Sequence, residues 1–244
     1  MTRYLAFLAG LAGIFLLWSI AAQENLPAIL PGPLAVAKSL GQLITDPDFW
    51  RGTLLPSLGR ALSGLLLAFA IGAALGLAGW RWPIVSALLV PVRLILMGLP
   101  APVLAILCIL WFDGDTVTVI LTVATLLVPV FQIAIAEGMS AIDPQLDEMV
   151  RLFRVTLLRR LQLIMGPAVW TSLGPALRIA VANALRVTLL TELLSGAEGL
   201  GAAVQRAQSW LHTDRLFALI IVILTLVGLA EAALSALTRE RRRS

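Results

Sequence analysis

The sequence contains one cysteine, Cys108, and one histidine, His212. A single cysteine excludes an internal disulfide and a cysteine-rich metal site, and the apolar run around Cys108 suits a small buried hydrophobe. A single histidine argues against a histidine-based metal centre. Charge is also scarce, at 13% of residues, against about a quarter in an ordinary soluble domain. There is no phosphate loop of the form GxxxxGK followed by Ser or Thr, so the chain is expected to bind no nucleotide cofactor of its own and to be non-catalytic. Nor is there a convergent set of Asp, Glu, His and Cys, which disfavours an enzyme acting on lipid.

What the sequence has is hydrocarbon. Apolar residues make up 59% and the mean hydropathy is +0.95, which places the chain in a bilayer. Its 244 residues can supply about six membrane spans of some 20 residues each, with no room for a separate soluble domain. The expectation is therefore an all-α polytopic membrane protein, one domain over residues 1–244, with spans near 4–22, 57–79, 84–112, 116–136, 170–194 and 215–237. Residues 4–22 follow Arg3 and lack a small-x-small cleavage site before Gln23-Glu24-Asn25, so they read as a retained span. Residues 26–55 are rich in proline and polar groups and should leave the membrane, with a short interfacial helix over 34–43. Gly72 and Gly76 have the GxxxG spacing that lets helices approach closely, as packing within the chain in preference to a dedicated dimer seam. Trp80-Arg81-Trp82-Pro83 marks an interface, Pro100 and Pro102 should kink the third span, Asp113-Gly114-Asp115 should close it with a turn, and residues 196–214 suggest an amphipathic helix at the outer surface.

Basic residues give the orientation. With the N-terminus inside, the inner set is Arg3, Arg81, Arg151, Arg154, Arg159, Arg160, Arg239, Arg241, Arg242 and Arg243. The outer set is Lys38, Arg51, Arg60, Arg206 and Arg215, half as many. The positive-inside rule then puts both termini and residues 137–166 in the cytoplasm. Charge gathered at span ends reports topology and lipid contact, not nucleic-acid binding.

Residues 137–166 are the one sizeable polar interruption between apolar spans. Glu137, Asp143, Asp147 and Glu148 precede Arg151, Arg154, Arg159 and Arg160, and the apolar residues between them fall at helical spacing. Asp143-Pro144 supplies an N-cap and a proline suited to the first helical position. The residues alone fit either a solvated loop or a surface for a partner. Within the spans, Arg178 and Arg186 lie eight residues apart, with Asn183 between them and Glu192 beyond. An intramembrane arginine is costly, so these should face protein or a water-filled path. Either they favour an anion on a translocation path near Pro100, or they form internal pairs such as Arg186 with Glu192.

The same segment resembles the cytoplasmic loop of ABC importer permeases, the binding-protein-dependent transport inner-membrane components. That loop reads Glu-Ala-Ala, three residues, Gly, nine residues, Ile, one residue, Leu-Pro. Glu148, Ile164 and Pro167 match at the right spacing, while Met149, Val150, Arg154 and Gly166 depart from it. Pro31-Gly32-Pro33-Leu34, Thr53 to Leu58 with Arg60, Pro100, Leu110-Trp111-Phe112, Leu177-Arg178-Ile179, Glu192, Gly199-Leu200-Gly201 and Thr213-Asp214 continue the likeness in order, towards the nitrate, sulfonate and taurine branch. The resemblance implies a type I ABC importer (MetI-like) fold in a bacterial inner membrane. It implies a coupling-helix loop in which Glu148, Arg151, Leu152, Phe153, Arg154, Val155 and Leu157 meet a cytoplasmic ABC ATPase dimer. Exposed ion pairs contribute only about 0–1 kcal/mol, so the apolar members should dominate docking. ATP and Mg would sit on that ATPase. Further partners would be a second permease subunit, the same chain or a different one, and a periplasmic or lipid-anchored solute-binding protein. The solute would be an anion such as nitrate, a sulfonate or taurine, or a related organic compound. An ATP-independent channel or secondary transporter is the rival reading.

Overall fold

The computed structural model describes residues 2–26, 28–152 and 156–240, and among them there are helices and no strands. In order these are α1 (Thr2–Glu24), α2 (Pro33–Thr45), the turn-length α3 (Pro47–Phe49), α4 (Leu55–Arg81), α5 (Pro83–Gly98), α6 (Ala101–Phe112) and α7 (Thr116–Ser140). Then come α8 (Pro144–Leu152), the short α9 (Leu157–Arg160), α10 (Gly166–Ser195), α11 (Leu200–Ser209) and α12 (Thr213–Glu240). Single π-helical turns, Trp50–Leu54 and Leu161–Met165, lead into α4 and α10. Among the described residues four stretches are long and apolar enough to cross a membrane: Pro47–Arg81, Thr116–Ser140, Leu158–Ser195 and Thr213–Ser235. A fifth results if α5 and α6 make one bent span. The expected first span, 4–22, falls within α1.

The third expected span bends at its prolines, and more sharply than a kink within one helix. α5 and α6 meet at 102°. Leu99 is extended at φ −76°, ψ 127°, and Pro100 at φ −61°, ψ 135° caps the start of α6. Proline has no N–H for the helix ladder and forces the preceding residue out of helical geometry, so two helices form where one was expected. After α6, Asp113 (φ 57°) and Gly114 (φ 74°) make the anticipated turn. Asp115 then opens α7, its carboxylate accepting from the N–H groups of Val117 at 2.9 Å and Thr118 at 3.0 Å.

The core is a seam between α4 and α7, which run parallel. An added Cβ would come within 2.7 Å of Val123 at Gly64, within 2.7 Å of Phe131 and the Val128 carbonyl at Gly72, and within 2.7 Å of the Gln132 carbonyl at Gly76. Backbones this close leave no volume for a side chain, so the GxxxG pair packs within the chain as its spacing predicts. Ala68, Val123, Leu127 and Phe131 fill the seam, with Phe69 edge-on to Phe131 at 5.4 Å. α10 lies antiparallel against them, contributing Ala180, Ala184 and Leu185. Its start meets the end of α7, where a Cβ on Gly138 would lie 2.6 Å from the Val169 backbone. A second cluster at the opposite end joins Val36 and Leu43 of α2, Phe49 and Leu54, Leu200, and Ala218 and Leu219 of α12. The segment expected at the outer surface is thus half inside, with Leu200, Gly201, Ala203 and Ala207 of α11 buried.

Replacing Gly72 by Leu should destabilise the protein by about 1–3 kcal/mol through overpacking of the seam. Gly59, in the same helix with nothing within 4 Å of an added Cβ, is the control. Thermal unfolding in detergent should show a fall for Gly72→Leu and none for Gly59→Ala.

Candidate functional site

Three polar features stand out against the apolar body. The first is the connector between α7 and α10. α7 continues to Ser140, so Glu137, Gly138 and Met139 are helical and the connector is narrower than the expected 137–166. Asp143 caps α8 as its sequence suggests, accepting from the Gln145 N–H at 2.8 Å. Glu148, Arg151 and Leu152 fall on α8 and Leu157 on α9, while Phe153, Arg154 and Val155 lie outside the described residues. Glu148 is exposed, and so are Leu146 and Met149 of α8, while the exposed Leu158, Leu161 and Leu163 fall within the membrane-length stretch Leu158–Ser195. The connector therefore carries apolar side chains that nothing in the described chain covers.

The second feature is on α10. Arg178 and Arg186 are exposed and Asn183 is half-buried, and Pro100 is exposed at the α5–α6 corner. The pairing of Arg186 with Glu192 is not made. Six residues of helix turn the two side chains about 120° apart, and Arg186 Nη2 instead lies 3.9 Å from Glu231 Oε1 of α12. Both members of that pair are more than half exposed. Glu231 went unweighed in the sequence, although an acidic residue inside the 215–237 stretch was a signal that it had a partner.

The third feature is where Glu192 does lie. It is 0% exposed and held between α4, α10 and α11. Its carboxylate accepts from Arg60 Nη1 at 2.8 Å, from Ser57 Oγ at 2.9 and 2.7 Å, and from the Gly201 N–H at 3.0 Å. Ser57 Oγ in turn accepts from the Leu200 N–H at 2.8 Å. Arg60 also donates from Nε to Thr116 Oγ1 at 3.1 Å and from Nη1 to the Glu198 carbonyl. Gly201 has to be glycine here, because a Cβ would sit 2.6 Å from Glu192 Cβ and 2.7 Å from the Leu193 nitrogen. A carboxylate has about four lone-pair sites, and this one is met by nearly that many donors. In the sequence Arg60 belongs to the outer set of basic residues and to the segment that carries the family likeness. Its place three residues inside the 57–79 stretch is the sequence signal that it needs a buried partner.

With that geometry in hand, comparison with known proteins decides the family. The model of the family described as binding-protein-dependent transport system inner membrane component matches residues 67–243. The chain belongs to this family. Among its relatives, the permease is 29% identical over 230 residues to the taurine transport system permease protein TauC of Escherichia coli, covering 91% of this chain and 82% of that protein. It is 25% identical over 232 residues to SsuC of Bacillus subtilis, named as a permease for aliphatic sulfonates transport, covering 94% and 83%. Among solved structures, the inward-facing MetNI methionine ABC transporter is similar with a TM-score of 0.63 at 17% identity, over 80% of this chain and 98% of that one. An amino acid ABC transporter matches at 0.63 and 18%, over 86% and 98%. At those identities the likeness establishes the fold, and it is the MetI-like fold that the resemblance implied. Among the described residues no group of three or more metal-ligating side chains occurs.

Glu192→Ala would take away the charge partner of Arg60 and the acceptor of the Ser57 and Gly201 donors, at a cost of about 3–5 kcal/mol. Glu231→Gln, at an exposed and loosely spaced pair, should change stability by less than about 1 kcal/mol. Unfolding midpoints of the purified permease should separate the two variants accordingly.

Proposed function

We propose that this permease is the membrane-spanning subunit of an ATP-driven importer in a bacterial inner membrane, with α8 and α9 as its coupling helices. The observation that carries this reading is the connector between α7 and α10, a capped helix with uncovered Leu146 and Met149, joined directly to the two long core helices. An apolar face outside the membrane is stabilised by a partner that covers it. In this reading the partner is a cytoplasmic ABC ATPase dimer carrying ATP and Mg, and it meets Glu148, Arg151, Leu152, Phe153, Arg154, Val155 and Leu157. The chain then has both termini in the cytoplasm and α11 on the outer side, as the distribution of basic residues favours. A second permease subunit, in the first instance another copy, completes the path, and a periplasmic or lipid-anchored binding protein delivers the solute.

The solute we infer is a small anion of the sulfonate or taurine type. Relatives named for taurine and aliphatic sulfonates support this, as do two exposed arginines on α10. Arg186 and Arg178 would line the path with Asn183 and Pro100. Glu192, saturated by its own donors, contributes through α10 rather than by touching solute. ATP binding shifts the equilibrium between inward-open and outward-open forms only if the ATPase contacts the connector differently in each.

Two variants test this reading. Met149→Asp, at an exposed position, should leave the permease folded and weaken its copurification with the ATPase by about tenfold, the scale of a central apolar contact. Arg186→Leu should lower uptake at every solute concentration while ATP hydrolysis persists. Transport in liposomes holding this chain without an ATPase would overturn the proposal in favour of a channel or secondary transporter.

A further inference from the structure

The junction around Arg60 joins elements that the coupling connector also joins from its far end. α7 enters the connector at Ser140 and begins at Thr116, whose hydroxyl takes the Arg60 Nε hydrogen bond. α10 leaves the connector through the Leu161–Met165 turn and reaches Glu192 in its last turn. Arg60 therefore ties together the ends of both connector-flanking helices that lie farthest from the connector. The same junction takes in α11. Leu200 and Gly201, the first residues of that helix, donate their N–H groups to Ser57 and Glu192, and Glu198 just before it accepts from Arg60.

We infer that Ser57, Arg60 and Glu192 are positioning residues that pass a load on the α11 segment into α7 and α10, and through them to the coupling connector. This rests on the importer reading above, in which a solute-binding protein docks on the outer side. The physical case has three parts. First, the bonds that the buried Glu192 carboxylate accepts from Arg60, Ser57 and Gly201 are charge-assisted, so they are short and hold their geometry better than neutral surface contacts, and the Arg60–Thr116 bond extends this junction to α7 at its exposed edge. Second, the junction has no slack, since Gly201 already touches Glu192, and packed elements of this kind shift as units rather than deform. Third, the surface that such a partner would press is next to it. Beyond the buried face of α11, Gln205, Arg206, Gln208, Trp210 and Leu211 are exposed, and Leu211 is held at φ +55°. A push there meets Glu192 within one helix length.

The test uses the complete reconstituted transporter with its binding protein and reads two ratios: binding-protein-stimulated over basal ATP hydrolysis, and solute moved per ATP. Glu192→Gln keeps an acceptor for Gly201 and removes the charge that fixes Arg60. Thr116→Val keeps the ion pair and unties only α7. Both should lower the stimulation ratio, Glu192→Gln by about tenfold, within the range of coupling between separated sites, while basal hydrolysis and binding-protein affinity persist. A stimulation ratio per folded complex equal to wild type in Thr116→Val, and in Glu192→Gln if it is recovered, overturns the inference even where melting temperature falls. If Glu192→Gln does not assemble, the Thr116→Val ratio decides alone. A wild-type complex without ATP-dependent uptake would instead remove the importer reading, and this inference with it.

Discussion

A carboxylate that water cannot reach must be met by protein donors, and the Glu192 carboxylate draws three helices together to meet that need. Arg60 and Ser57 come from α4, the Gly201 N–H from α11, and Glu192 itself from α10. Each bond restricts where the others can be. The start of α11 cannot lift away without exposing Glu192, and α4 cannot slide along α10 without stranding the Arg60 guanidinium. Removing a partner from such a pair is far more costly than the pair's net contribution, which is why it constrains geometry more than it adds stability.

The α4–α7 seam supplies a different constraint, one of shape. Gly64, Gly72 and Gly76 bring backbone against backbone, and in a bilayer close packing of this sort takes the place of the hydrophobic drive that joins helices in water. Because α4 and α7 run parallel, the chain must return between them, and the bent pair α5–α6 makes that return. No described residue of α5 is buried. The helices that pack tightly are thus α4, α7 and α10, and two of these three flank the polar connector. A rigid body with a polar junction at one end and an uncovered apolar connector at the other is suited to carrying movement from end to end. The proposed importer mechanism asks for that property.

Much of this was legible in the chain. Spans over 57–79, 116–136, 170–194 and 215–237 lie within helices because runs of apolar residues that long have one stable form in a bilayer. Asp143-Pro144 and Asp113-Gly114-Asp115 were readable because caps and turns are local, set by side chains a few residues from the backbone they satisfy. The path from α5 to α6 was only half readable. Pro100 announced a break, but the 102° between the two helices depends on what each packs against, and that information lies elsewhere in the chain.

Sequence by itself determined the class of protein, the positions of its apolar rods, the caps that end them and the polar connector between the fourth and fifth expected spans. All of these follow from hydropathy and from interactions spanning a few residues. Tertiary structure alone decided which charges meet. Arg186 faces Glu231 and not Glu192, because six residues of helix place them on different faces. Glu192 meets Arg60, 132 residues away in the chain. Such a pairing depends on how whole helices are set side by side, and no local pattern of residues carries that arrangement.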